Sequence, residues 1–511
     1  MKQNTFNRRQ LILGGAGLVL AGNALNIIYG RPAMAGTTTL NAETRILEIK
    51  GKPAKVYSLT QPNGVSGLET SAGTRFQVAL NNRLDHETLV HWHGVTPPSD
   101  QDGVPELSQS PIKPGEHFDY DFPLKRPGTF WMHSHVGLQE QKLFAAPLIV
   151  HDPVEAGLDE QNVVILLQDF TFKDPNEIFE TLKAGAHTEG HGHGHGHGHG
   201  VKKNPEHNMP PKEGMGMKMK MGMEKSMDMK MGMEKNMDMK MDMDLNDVEF
   251  DAYLANDQSL EDPKVVRVEP GGKLRLRIIN AASSTNFVID LGSLKGTLIA
   301  VDGNPIIPII GRRFEIAMAQ RLDIRLELPK GQAGYPILAQ REGDRQRTGI
   351  ILATKLGTVT KLSELGETTT PAVLLDLEQR LKAASPLAAR KVDRFLNLDL
   401  TGNMARFQWS LDGRVYKNRK PLMVSRGERV KISMRNKTGM SHPMHLHGHA
   451  FQIVAINDKP IGGAMRDTVM VPPKSSVTIA FDADNPGRWA FHCHNLYHMA
   501  AGMFTSLEYK S

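Results

Sequence analysis

The sequence predicts an all-β protein of three related β-sandwich domains, and three observations carry that expectation. Short runs alternate apolar and polar residues between Gly-, Pro- and Asn-rich turns: Arg75-Phe76-Gln77-Val78-Ala79-Leu80, Lys273-Leu274-Arg275-Leu276-Arg277-Ile278 and Arg429-Val430-Lys431-Ile432-Ser433-Met434. Period-two alternation marks strands with one buried face. The same runs head an internal repeat: each leads into an asparagine (Asn82, Asn280, Asn436), and nine and eleven residues onward stand His91/His93, Ile289/Leu291 and His445/His447. Finally, 511 residues are too many for one core and suit about three domains.

The first 35 residues read as a targeting leader. Asn7-Arg8-Arg9-Gln10-Leu11 sets paired arginines before an apolar stretch to Ile28, and Ala33-Met34-Ala35 supplies a small-x-small cleavage pattern. Six Gly or Asn interruptions between Leu11 and Ile28 argue against the alternative, a membrane anchor. Twin arginines point to the route that exports folded proteins, hence to a periplasmic location. Lys2, Arg8, Arg9 and Arg31 lie in this acid-free leader, so removing those four from the net +5 leaves +1. Such a balance suggests neither nucleic acid nor an anionic membrane as a partner.

The expected domains then follow in order: 36–155, 156–355 and 393–511, with a linker at 356–392. A Gly-aromatic turn repeats in each, as Pro127-Gly128-Thr129-Phe130, Ala333-Gly334-Tyr335 and Pro486-Gly487-Arg488-Trp489. Five and seven residues after its glycine come His133/His135, Ala339/Arg341 and His492/His494. The middle copy keeps the strand pattern and has lost every histidine, so the outer domains carry metal and the middle one spaces them. It also holds an insertion at 184–244, a His-Gly alternation followed by a methionine tract with a near-repeat (Met221–Lys230, Met231–Lys240), whose composition cannot bury a core and is expected to be disordered. Helical patterning is sparse; its best stretch is Thr370 to Lys391, in the connector.

Four histidine clusters remain: His91-Trp-His93-Gly94; His133-Ser-His135; His442-Pro-Met-His445-Leu-His447-Gly448; and His492-Cys493-His494 with His498 and Met503 beyond. Alternate residues of a strand share a face, so each His-x-His presents two imidazoles together. Cys493, the single cysteine, must then face away from His492 and His494, toward a second site where His442, His498 and Met503 are available. Two His, a thiolate and a weak axial Met form a blue-copper ligand set. Zinc also accepts His and Cys, but has no use for a strand that faces thiolate one way and two imidazoles the other.

With these motifs the chain resembles the three-domain multicopper oxidases, in particular their bacterial copper-resistance and cuprous-oxidase branch, over nearly all the mature chain outside the insertion. The resemblance implies three cupredoxin-like Greek-key sandwiches and four copper ions. His442, Cys493, His498 and Met503 would hold type 1; His91 and His445 type 2; His93, His133 and His494 one type 3 copper, and His135, His447 and His492 the other. It also implies that Asp102 delivers protons to the cluster, where the bland alternative is an Asp-Gly turn. A second acid that some relatives carry after the last histidine is missing, with Met499 and Ala500 in that neighbourhood. Met440 matches a methionine that cuprous oxidases use for substrate copper, although it could equally be packing, and Thr438 stands where an acid is often found. His86, His117, His151 and His449 fall outside the ligand pattern.

The expected activity is oxidation of Cu(I) to Cu(II) coupled to reduction of O2 to water, in periplasmic copper tolerance. Soft thioethers of the methionine tract suit the collection of Cu(I). The alternatives are a laccase-like oxidase of phenols or aromatic amines, and a copper-sequestering protein with incidental oxidase activity. Nitrite reduction is disfavoured, since it does not need all eight cluster histidines.

Overall fold

The computed structural model describes residues 36–185 and 245–510. The expected leader and almost all of the His/Met-rich insertion lie outside the described residues. Six sheets pair into three β-sandwiches. In the first, a four-stranded sheet ordered Lys52–Thr60, Thr38–Ile49, Arg75–Asn82, His117–Pro123 packs on one ordered Leu68–Ser71, Ala145–His151, Gly128–Ser134, Val90–His93. Leu40, Val78, Leu80 and Phe122 of one sheet meet Trp92, Met132 and Leu148 of the other. Each such fully buried large apolar side chain contributes about 1.5–3 kcal/mol. The middle and third sandwiches repeat the plan with larger sheets.

The three alternating runs are central strands, Arg75–Asn82, Lys273–Asn280 and Arg429–Asn436. Each pairs in parallel with the strand that opens its sandwich and antiparallel with a later one. The closing asparagine does the same work three times. Asn82 Oδ1 accepts from Leu84 N, and its Nδ2 donates to the carbonyls of His86 and Ile112. Asn280 does so with Ala282 N and the carbonyls of Thr285 and Ile316. Asn436 repeats this with Thr438 N and the carbonyls of Met440 and Val471. One buried amide thus satisfies loop groups that would otherwise lack partners. It also fixes how the chain enters the next strand.

The sandwiches meet through small apolar interfaces. Trp131, Ala145 and Ile149 of the first pack on Val164, Leu166 and Ile279 of the middle. Val104 and Leu107 of the first pack on Ala490 and Phe504 of the third. The expected helix over Thr370–Lys391 shrinks to one turn and a half, Asp376–Arg380. Pro371 and Pro386 bound the helical pattern, and flanking segments pair instead with other sheets, through Thr370 to Glu342 and Ala383 to Ile306. Among the described residues no helix is long and apolar enough to cross a membrane.

Candidate metal centre

The histidine pairs sit where the repeat places them. Strand Val90–His93 pairs with Gly128–Ser134 so that His91 opposes His133, and His442–Leu446 pairs with Arg488–Cys493 so that His445 opposes His492. The middle sandwich keeps this register with Ile289 opposite Ala339. Trp92, between the first two histidines, points the other way into the core against Phe76 and Tyr120. All eight paired histidines are buried, and they come from the first and third sandwiches only.

Their protons point outward. Nδ1 of His91 donates to the Asp102 carbonyl (2.9 Å), of His445 to the Asp467 carbonyl (2.8 Å), of His492 to the Cys493 carbonyl (2.9 Å) and of His447 to Asp102 Oδ2 (2.8 Å). Nδ1 of His133 reaches the Ser134 carbonyl at 3.0 Å and Glu140 Oε2 at 2.9 Å. Each of these rings therefore turns an Nε2 lone pair inward. Those lone pairs face one another: His91 and His445 at 3.5 Å, His447 and His492 at 3.0 Å, His135 and His492 at 3.3 Å. His93 is reversed, with Nε2 3.2 Å from Asp467 Oδ1 and 3.3 Å from Thr468 Oγ1. Its Nδ1, with Nε2 of His133 and His494, is buried without a hydrogen-bond partner.

Protonation of these positions is disfavoured. Burial first, and then the neighbouring imidazoles, hold His93, His133, His135, His445, His447 and His494 well below the ordinary imidazole range. Converging, buried, neutral imidazoles call for metal cations. Three triads satisfy that need: His91/His93/His445, His93/His133/His494 and His135/His447/His492, each with ligand atoms within 4.8 Å of one another.

Cys493 faces the opposite way, as strand alternation requires. Its Sγ lies 3.7 Å from Nδ1 of both His442 and His498, which are 3.1 Å apart. Met503 is fully buried, and its carbonyl accepts from Cys493 N. Burial pushes the Cys493 thiol up, so only a bound soft cation can keep it a thiolate. Of the outer nitrogens, His442 Nε2 is hydrogen-bonded to Thr438 Oγ1 at 2.7 Å, and His498 Nε2 lies 2.9 Å from Asp247 Oδ2 without hydrogen-bond geometry. Met440 is buried in the apolar core, its carbonyl held by Asn436 and Thr438.

Three acids escaped the sequence reading. Asp247 follows the methionine tract and touches His498, Glu140 touches His133, and Asp467 touches His93. Glu140 is fully buried, and burial with Asp169 nearby pushes its carboxyl well above the ordinary range. Only Asp247 carried a signal, its place at the insertion's end; the other two are brought in by tertiary packing. His449 is also buried, between the His447 carbonyl and the Tyr509 hydroxyl.

These histidines should make the metal-free protein acid-labile. The folded-state pKa values of His93, His133, His135, His445, His447 and His494 lie below the unfolded value near 6.5, and burial holds His449 and His492 at about 4. The unfolded chain therefore binds more protons once pH falls below about 6.5, at about 1.4 kcal/mol per pH unit per histidine. The Tm of the apoprotein should drop steeply from pH 6.5 toward 4, and metal should hold it up, because metal competes with those protons. A flat apoprotein Tm across that window would show the histidines to be accessible to protons in the fold.

Comparison with known proteins agrees with this geometry. Family models described as Multicopper oxidase match residues 48–155, 161–357 and 391–511. Multicopper oxidase MmcO of Mycobacterium tuberculosis (strain ATCC 25618 / H37Rv) is 31% identical over 505 residues, covering 97% of this chain and 91% of that protein. Copper resistance protein A of Escherichia coli is 28% identical over 557 residues, covering 86% and 87%. Among solved structures, Fet3p, a multicopper oxidase that functions in iron import, superposes with a TM-score of 0.72 at 18% identity over 93% of this chain and 90% of that one. The laccase of Botrytis aclada gives 0.70 at 22% identity over 92% and 87%.

Proposed function

Because the chain belongs to the multicopper oxidases, copper-dependent oxidoreductases that use O2, we propose that it oxidises Cu(I) in periplasmic copper tolerance. The carrying observation is the cover over the Cys493 site. His442, Cys493 and His498 are all fully buried, under Trp409, whose ring lies 4.3 Å from that of His498 and 5.2 Å from that of His442. Phe407 lies beyond. Neither His442 nor His498 presents an edge open to a bulky ring among the described residues. The outer nitrogen of His498 meets Asp247, close to the insertion's C-terminal end, and Gly185 at its other end packs toward the Ala405 carbonyl, two residues before Phe407. Electrons would thus enter beside the described ends, Gly185 and Asp247, that flank the His/Met-rich sequence whose thioethers suit Cu(I).

Four coppers fit the donor sets. His442, Cys493, His498 and Met503 would hold type 1, His91 and His445 type 2, and His93/His133/His494 and His135/His447/His492 the type 3 pair. Copper there supplies one-electron acceptance at the thiolate site and four-electron reduction of O2 to water at the cluster, which consumes four protons. The residues do the rest. Cys493 joins by its own backbone to His492 and His494, a short covalent link between the two sites. Asp102 holds the Nδ1 proton of His447 through Oδ2 and that of His91 through its carbonyl, placing a carboxylate where protons must arrive. The twin-arginine leader supports export, and the likeness to copper resistance protein A supports a role in tolerance.

Comparing kcat/KM for Cu(I) and for a bulky phenol, in the intact chain and in one lacking 187–243, tests this reading. Cu(I) should win in the intact chain by at least roughly tenfold, about 1.4 kcal/mol in transition-state stabilisation. The deletion should lower Cu(I) oxidation at limiting copper. A preference for the phenol in the intact chain would make the enzyme laccase-like. Unchanged Cu(I) kinetics after deletion would remove the collection role.

A further inference from the structure

A file of buried charges runs from the connector to the cluster. Glu378, in helix Asp376–Arg380, meets Arg466, with Oε2 2.8 Å from Nη2. Arg466 Nη1 lies 3.2 Å from Asp302 Oδ1, which is 3.7 Å from Arg321 Nη1. Arg321 then grips Asp467 with both terminal nitrogens, at 2.7 and 2.6 Å. Asp467 Oδ1 ends the file 3.2 Å from His93 Nε2. None of the five is more than 5% exposed. Asp302 and Arg321 belong to the middle sandwich, Arg466 and Asp467 to the third, and His93 to the first. Arg321 also donates from Nε to the Thr129 carbonyl of the first.

Stability alone is a weak reason to bury five charges, since well-packed apolar residues often serve as well. The end of the file is more informative. His93 is the histidine turned round, with Nε2 toward Asp467 and Nδ1 left for the cluster. The Asp467 carbonyl holds His445 Nδ1, and the Thr468 hydroxyl lies 3.3 Å from His93 and 3.1 Å from His445. One dipeptide therefore orients histidines from two sandwiches. Gly94, at φ +87°, is backed against the file: a Cβ there would collide with the Arg321 guanidinium and the Asp467 carboxylate.

We infer that Glu378, Arg466, Asp302, Arg321 and Asp467 form a positioning device that fixes His93 with Nδ1 toward the cluster and makes cluster filling depend on docking of the connector helix. The alternating signs hold each member by its neighbours, so loss of Glu378 frees Arg466 and, through Asp302 and Arg321, loosens Asp467. The inference rests on the reading of His93 as a copper ligand and is independent of which substrate supplies electrons.

The test is copper titration of full-length apoprotein against a competing chelator, for the parent, Asp467→Asn, Glu378→Gln, Arg321→Met and Arg321→Lys. Blue absorption reports the Cys493 site, and near-ultraviolet absorption and electron paramagnetic resonance report the cluster. Outer partners of metal ligands are worth about 10–100-fold in affinity, so cluster affinity should fall toward the upper end in Asp467→Asn and about tenfold in Glu378→Gln. Blue absorption per chain should stay at the parent level, and Arg321→Lys should recover part of what Arg321→Met loses. Unchanged cluster affinity in Glu378→Gln would overturn the link to the connector. Parallel loss of blue absorption would reduce the file to a prop of the fold. If Arg321→Met does not fold, Glu378→Gln and Asp467→Asn still decide. Since the readout is copper content, a finding that phenols are the better substrate leaves it untouched.

Discussion

Cys493→Ser is expected to abolish the blue absorption and cut turnover more than a thousandfold, above about 4 kcal/mol, while the cluster histidines still fill with copper. Serine is nearly the same size, so the fully buried site should keep its packing. What goes is the only soft anionic donor between His442 and His498: a hydroxyl does not ionise where burial already pushes even a thiol up, and its oxygen is a hard ligand. His492 and His494 project to the other side of the strand and keep their carbonyl and imidazole partners. Copper content, blue absorption and steady-state oxygen uptake check this together. Retained oxygen uptake in a colourless variant would mean that electrons reach the cluster by another route, and the assignment of Cys493 as entry point would fall.

Asp102→Asn should lower kcat by about 10²–10⁴-fold, the usual range for a positioned proton-transfer group, with copper content near that of the parent. The substitution is chosen to separate two roles. An asparagine oxygen can still accept the His447 Nδ1 proton, and the carbonyl of residue 102 still accepts that of His91, so both rings stay oriented. Only the carboxylate's capacity to take up and release a proton is lost. Reduction of the Cys493 site, followed by stopped-flow bleaching of the blue colour, should proceed at the parental rate while its reoxidation by O2 slows. A normal kcat would make Asp102 an orienting residue alone.

Much of the architecture was legible because two periodicities coincide in this chain. Alternation identified Arg75–Asn82, Lys273–Asn280 and Arg429–Asn436, and the fixed offsets from each asparagine located the histidine strands. The orientation of Cys493 against His492 and His494 followed from the strand period. The helix in the connector was overestimated, because Thr370–Lys391 has helical composition but only Asp376–Arg380 is helical and the flanks pair elsewhere. Acids that touch the clustered histidines were invisible for a related reason. Asp467 is 374 residues from His93 and Asp247 is 251 from His498, and no local pattern records contacts made only when separate sandwiches meet. Glu140 is seven residues beyond His133, yet its spacing resembles no ligand pattern.

The three asparagine clamps have a consequence for where the chain can change length. Each clamps the loop that follows it at both ends, so the distance along the chain from asparagine to the first histidine position acts as a ruler, nine residues in every copy. Adding or removing one residue inside 82–93, 280–291 or 436–447 would rotate the next strand's faces by half a period and bury the wrong side chains. The long His/Met-rich insertion instead departs after Gly185 and returns at Leu245, between such segments. Tracts of different length can therefore be exchanged there without disturbing the register of the site, which makes that point the natural place for this scaffold to acquire new metal-handling sequence.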